Sequence, residues 1–158
     1  MPEVIKSVLL PYSAASMFEL VDAVESYPEF LPWCGGVHVH SRDQHHTKAT
    51  IHIRYLGVAQ SLTTYNKKCH PGEMTLALVD GPFQSLSGAW KFIGLADDAC
   101  KVEFNLRYAF ANPLVEGAIG PVMANIAETL VDRFAKRADG LAFPNTARIS
   151  AGAPNTSP

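Results

Sequence analysis

The sequence is short of cysteine, short of net charge and without a long apolar run, and each shortage excludes a class of protein. Three cysteines, Cys34, Cys69 and Cys100, are odd in number, lie far apart and form no Cys-x-x-Cys. A disulfide scaffold or a zinc ribbon needs paired, closely spaced thiols, so free thiols in a reducing compartment are expected. Thirteen Lys and Arg against fifteen Asp and Glu leave a formal charge of −2. No basic stripe stands out, so DNA is not expected as a partner and ribosomal RNA is disfavoured, because both are held by phosphate neutralisation. The densest basic group, Arg133, Lys136 and Arg137, falls near the end of a predicted helix, where cations suit the dipole. No run approaches the ~20 apolar residues of a bilayer span. The opening "MPEVIKSVLLPYS" has neither a signal-peptide core nor an Arg-rich transit character. A cytoplasmic protein is expected.

What the chain does have is alternation. Its 158 residues fit one domain, large enough to bury roughly 70% of the surface its unfolded form exposes. Residues 4–10 read as a strand ended by Pro11. Ser13 is placed to cap a helix with Met17, Leu20, Val21 and Val24 at helical spacing. Then comes "YPEFLPWC", residues 27–34. Ser26 and Glu29 have capping-box spacing, Pro28 would sit in a first turn, and Pro32 turns Leu31 away from helix. The phrase reads as a capped single turn with an extended exit.

After Gly35-Gly36 the pattern becomes six strands, over residues 37–42, 49–55, 58–67, 74–79, 85–95 and 100–110. In the last, Val102, Phe104, Leu106, Tyr108 and Phe110 alternate with Lys101, Glu103, Asn105 and Arg107, the mark of an antiparallel strand with one wet face. Asn112 and Pro113 open a long helix over about 114–139, with Gly140 as its stop. Val115, Ile119, Val122, Met123, Ile126, Leu130 and Phe134 give it an apolar stripe. One domain over residues 1–143 is expected, with a disordered tail at 144–158, small, polar and proline-containing. The fold class is α+β. A curved antiparallel sheet with one apolar face needs a cover, and the long helix has the length, about 39 Å, to supply it.

The segments "FELVDAVESYPEFLPWC", "SLTTYN", "LVDGPFQSLSGAWKF" and "FAKRA" are similar to the coenzyme Q-binding, polyketide-cyclase-like family of the START superfamily, over nearly everything but the tail. Leu62 stands where the family pattern has Phe. Bacterial members often carry the name ribosome-association toxin. The resemblance implies a helix-grip fold (START/Bet v 1-like), with two short helices after the first strand and the sheet wrapped around the C-terminal helix. It also implies a hydrophobic cavity that takes ubiquinone or a related polyisoprenoid lipid in support of respiratory electron transfer. It implies no agreed catalytic residues.

The residues and the resemblance together name a candidate cavity. The inward faces carry Ile51, Ile53, Leu76, Leu78, Leu86, Trp90, Phe92, Phe104, Leu106 and Tyr108, and the helix adds Val122, Met123 and Ile126. On the residues alone a filled core is the commoner meaning of such stripes. Gly88 between Leu86 and Trp90 would leave room, and Gly117, Gly120 and Pro121 weaken the first half of the helix; with the resemblance the cavity is favoured. Leu31, Trp33 and Phe83 are expected at its rim, touching a membrane surface transiently. Each buried CH₂ contributes about 0.8 kcal/mol, so a few isoprene units suffice for affinity and the head group needs only one or two hydrogen bonds.

Catalysis, metal and cofactor are not expected. His52, Arg54, Glu103 and Arg107 fall on outward faces, Asp80 belongs to a turn, and Tyr55 and Tyr108 offer inward hydroxyls without an acid or base beside them. Cys34, His38 and His40, with His45-His46 in the next turn, lack zinc-like spacing, and Cys34 has no motif pairing it with a base. The expected function is a soluble carrier of an isoprenoid quinone or other hydrophobic small molecule, held as ligand rather than cofactor, peripheral at the inner face of the cytoplasmic membrane. A ribosome-interacting toxin that blocks subunit association and a cyclase- or dehydratase-like enzyme are the alternatives.

Overall fold

The computed structural model describes residues 2–141. The expected tail and its boundary at 143 lie outside the described residues. Strand β1 (Glu3–Leu10) is followed by helix α1 (Ala14–Asp22) and a 3-10 helix (Val24–Glu29). Six strands follow, β2 (Cys34–Arg42), β3 (His46–Tyr55), β4 (Val58–Cys69), β5 (Glu73–Asp80), β6 (Phe83–Ala96) and β7 (Ala99–Phe110), and then helix α2 (Pro113–Leu141). All seven strands form one antiparallel sheet in the order β1-β7-β6-β5-β4-β3-β2. Strands β2 to β7 form a meander, and β1 closes against β7.

Local chemistry explains most of the boundaries. Ser13 caps α1, its Oγ accepting from the Ser16 amide at 3.0 Å. Asn112 caps α2 through Oδ1 and the Val115 amide at 2.9 Å, with Pro113 as the first helical residue. The expected capping box is not formed. The 3-10 helix starts two residues before Ser26 with Ala23 as an uncapped N-terminus, because Tyr27 is drawn inward. Its hydroxyl donates to the Val21 carbonyl, and its ring meets Phe30 and Phe134 edge-on. Glu29 pairs instead with Arg137 at 2.7 Å. Gly140 does not end α2, which continues through it to Leu141.

Two glycine-containing segments shape one end of the sheet. Strand β2 starts earlier than expected, at Cys34, and runs through Gly35-Gly36. A Cβ at Gly35 would lie 2.7 Å from Cδ of Arg54, so the missing side chain lets Arg54 of β3 lie across β2. The β3–β4 connection is the two-residue turn Leu56-Gly57, both with positive φ (50° and 83°), as a tight hairpin of this hand requires. Asn, Asp or Gly usually fills the first position; leucine there costs about 1–2 kcal/mol of backbone strain, and its side chain is 80% exposed.

The core sits between the concave sheet face and α2. Ile119, Val122, Met123, Ile126, Phe134 and, beyond the expected stripe, Ala127, Val131 and Ala138 are buried. The C-terminal half of α2 is tied down by Arg137, which pairs with Glu29 and lies 5.0 Å over the Phe30 ring, and by Tyr12, which donates to Asp139. The first turns are not: apart from half-buried Val115, residues 113–118 are exposed. By length and composition α2 could span a bilayer, but its apolar stripe faces the sheet.

One polar knot is buried under α1. Asp22 accepts from Thr47 Oγ1 and from Lys68 Nζ, each at 2.9 Å, and the Lys68 side chain is 5% exposed. It ties the end of α1 to the inner face of β3 and β4, at positions where alternation alone would place apolar residues. Asp22→Ala leaves the lysine buried and uncompensated, so it is predicted to lower unfolding stability by about 3 kcal/mol. Adding Lys68→Met should recover much of that loss. Urea denaturation of both variants checks it; equal midpoints for wild type and Asp22→Ala would show that the pair contributes nothing.

Candidate functional site

Between the sheet and α2 lies an apolar cavity of about 100 Å³, lined by Val21, Val24, Tyr27, Trp33, Ala49, Ile51, Ile53, Leu62, Thr64, Asn66, Met74, Leu76, Leu86, Trp90, Phe104, Leu106, Met123, Ile126, Leu130 and Phe134. Of the residues expected to line it, Ile53, Leu76, Leu86, Trp90, Phe104, Leu106, Met123 and Ile126 are on its wall. Four are not. Phe92 points toward α1, its ring 5.4 Å from Phe18. Tyr108 sits with Phe83 and Phe110. Leu78 lies under the β5–β6 turn, its Cδ1 3.6 Å from where a Cβ of Gly81 would be. Val122 is buried but one position round the helix from Met123. Gly88 does not open the space as expected. A Cβ there would come 2.5 Å from the Asn105 carbonyl oxygen, so the glycine serves the close approach of β6 to β7.

The expected rim is also corrected. Leu31 and Trp33 are 1% and 5% exposed, and Phe83 is 6% exposed. Phe83 stacks on Phe110, its partner in the β6–β7 register, at 5.4 Å. Trp33 is part of the cavity wall. The 3-10 helix folds back on β2, so the residues between them run along the inner face rather than over its edge.

Polar groups on this wall are few, and each has a definite state. Thr64 Oγ1 donates to Asn66 Oδ1 at 2.9 Å. Burial pushes the Tyr27 phenol well above its ordinary range; its proton is committed to Val21. The indole N–H of Trp33 is buried without a hydrogen-bond partner among the described residues, an arrangement that costs about 1–3 kcal/mol unless something accepts from it. Among the described residues the wall carries no carboxylate, imidazole, thiol or cation. Sequence patterning missed Thr64 and Asn66 because "SLTTYN" alternates polar with polar. It missed Trp33 because no period extends into the corner before β2.

Outside the sheet end lies a larger, open and polar groove of about 550 Å³, lined by His52, Ile53, Arg54, Ala59, Gln60, Ser61, Asp80, Gly81 and Pro82. It forms because β4 pairs with β5 only from Thr63 onward, leaving its first residues apart from the β5–β6 turn. His52 Nδ1 and Ser61 Oγ are 2.8 Å apart, and Arg54 has no ion-pair partner among the described residues. His38 and His40 meet edge-on at 4.6 Å on the outer face, while Cys34 is buried with Sγ toward the Gly36 carbonyl. Burial raises the Cys34 and Cys100 thiols above their ordinary pKa, away from nucleophilic use. Among the described residues no group of three or more His, Cys, Asp and Glu could hold a metal ion.

The sequence profile described as polyketide cyclase / dehydrase and lipid transport matches residues 10–135. Among curated proteins, the persistence and stress-resistance toxin PasT of Escherichia coli O6:H1 is 39% identical and the ribosome association toxin RatA of Escherichia coli K12 is 38% identical. Each match runs over 138 residues, 87% of this chain and 87% of the relative. A coenzyme Q-binding protein COQ10 homolog B from Xenopus laevis is 24% identical over 84% of this chain and 56% of its own length. Among solved structures, the Zhui aromatase/cyclase from Streptomyces superposes with a TM-score of 0.79 at 12% identity, covering 96% of this chain and 99% of that one. A START superfamily protein from Mycobacterium smegmatis superposes with 0.74 at 17%, covering 88% and 98%. These likenesses show the helix-grip fold expected from the sequence.

With its indole buried, Trp33→Ala is predicted to behave as a core truncation, lowering unfolding stability by about 3–5 kcal/mol. Chemical denaturation measures it. An unchanged midpoint would return the ring to the surface.

Proposed function

We propose that this chain, which belongs to the polyketide cyclase / dehydrase and lipid transport family, carries an isoprenoid quinone or a related polyisoprenoid lipid between its sheet and α2, presenting it to membrane enzymes of respiratory electron transfer. The observation that carries the reading is the character of the cavity wall: twenty lining residues, nearly all apolar, among them Trp33, whose indole N–H is buried without an acceptor among the described residues. An apolar tail gains about 0.8 kcal/mol per buried CH₂, and a quinone carbonyl is an acceptor that the Trp33 indole lacks. The relative named for coenzyme Q binding favours the same ligand class.

The closed cavity is smaller than the roughly 300–1,000 Å³ of pockets that enclose a whole small molecule. Loading therefore requires α2 to shift. Its first turns, exposed and containing Gly117, Gly120 and Pro121, are the part free to do so, while Arg137 and Tyr12 hold the other end. Carriage rather than catalysis fits a wall whose only titratable group, Tyr27, already donates to a carbonyl. In this reading the protein works peripherally at the inner face of the cytoplasmic membrane.

A second reading, ribosome association, is favoured by the names of the relatives at 38–39% identity. The outer face of β2–β4 adds some support, since residues alternating with the buried ones bring His38, His40, Lys48, His52 and Lys67 together. The formal charge of −2 opposes it, because RNA contact is driven by phosphate neutralisation.

Organic extraction of the purified protein followed by mass spectrometry tests the carrier reading. An isoprenoid quinone at near-stoichiometric amount is expected. No isoprenoid in the extract, together with no uptake of added ubiquinone and salt-resistant cosedimentation with ribosomal subunits, would overturn it in favour of the second reading.

A further inference from the structure

We infer that the β3–β4 turn is the element that docks this protein on an anionic phospholipid surface, with Leu56 entering the acyl boundary and Arg54 taking a lipid phosphate. The inference rests on the carrier reading for its purpose, and on separate observations for its location. Leu56 is 80% exposed at the tip of a hairpin and holds a left-handed backbone conformation (φ 50°) that asparagine or glycine would adopt with less strain. A bulky apolar side chain kept at a strained, exposed position breaks a local rule without a packing gain, and such breaks mark function.

Two residues back, Arg54 is exposed and has no carboxylate partner among the described residues. It lies across Gly35 and opens into the polar groove beside the turn, where His52 and Gln60 flank it. The acids at this end are Asp80, on the far wall of the groove, Glu116, in the first turn of α2, and Glu3, at the start of β1 on the opposite edge of the sheet; none of them is ion-paired with Arg54.

The shape of this end selects a bilayer over a protein partner. The sheet register brings the β3–β4 turn, the β5–β6 turn and the β7–α2 connection to the same end, and Ala111 of that connection donates to the Pro82 carbonyl. Leu114, in the first turn of α2, is 84% exposed and Val79 is 48% exposed. These are separate apolar points with polar ground between them. A protein interface needs a continuous patch of roughly 800 Å² per partner; a fluid acyl boundary accepts isolated side chains, with anionic headgroups adding attraction to the nearby cation. The exposed first turns of α2 would then face the membrane from which the ligand comes.

Flotation of the full chain with quinone-free vesicles tests this, using pure phosphatidylcholine and phosphatidylcholine mixed with phosphatidylglycerol. Wild type should partition preferentially to the anionic vesicles. Leu56→Asn should weaken that partition about tenfold while leaving the thermal midpoint unchanged or raised, since asparagine suits the turn; Leu56→Gly should do the same. Arg54→Gln should remove the preference for anionic vesicles. Wild-type binding to neither vesicle, equal binding to both, or Leu56→Asn partitioning as wild type would each overturn the inference. Quinone in the extract with no effect of Leu56→Asn would sink the docking inference alone. A Leu56 effect with no quinone in the extract would sustain docking and sink the carrier reading.

Discussion

A single helix has to cover the concave apolar face of a seven-stranded sheet. A helix is about 10 Å across and α2, at 29 residues, is about 43 Å long; the curved sheet it grips has seven strands about 4.8 Å apart, so it is roughly three times as wide as the helix. The shortfall is made up by large side chains. Trp90, Phe104, Phe134, Tyr27 and Phe30 interlock edge-on or tilted beneath the C-terminal half of α2. Arg137, Tyr12 and Lys6 then fix the helix from outside the core. Toward the other end the helix loses its buried contacts before Ile119, so its coverage of the sheet is asymmetric, and a narrow space remains among the large side chains of the core.

That asymmetry separates two kinds of chemistry. Inside, nearly everything polar is satisfied: Asp22 by Thr47 and Lys68, Thr64 by Asn66, Tyr27 by a carbonyl. The Trp33 indole N–H is left buried without an acceptor among the described residues, on a residue of the cavity wall. Outside, on the same end of the sheet, the polar groove, the unpaired Arg54 and the protruding Leu56 form a surface suited to headgroups. A ligand passing from bilayer to cavity would meet these features in sequence.

The fold was legible in the sequence because its strongest signals are local. Alternation in residues 100–110, the Asn112-Pro113 cap and the stripe on α2 depend only on neighbours, and the strand order followed from short connections. The site was legible in part. Residues at the centre of clear periodic runs, such as Trp90, Phe104 and Met123, reached the cavity wall, whereas Phe92, Tyr108 and Leu78 share their periods yet look past its ends toward α1, Phe110 and the β5–β6 turn. Periodicity assigns a face, not a position along it. The phrase "YPEFLPWC" misled for a related reason: its motif suggested a corner at the cavity rim, but Leu31 and Trp33 are core. Buried Lys68, Thr64 and Asn66 were hidden because a polar run reads as wet unless its partners are known.

The account stands on a hydrophobic ligand entering beside Trp33. The chain has two tryptophans, both on the cavity wall, and the Trp33 indole N–H is fully buried without an acceptor among the described residues. Two-dimensional NMR of ¹⁵N-labelled protein titrated with a short-chain ubiquinone resolves the two indole signals, assigned with Trp33→Phe. The account predicts a saturable downfield shift of the Trp33 signal as the quinone carbonyl accepts its proton, with a smaller change at Trp90. Both signals unmoved at saturating quinone would contradict it.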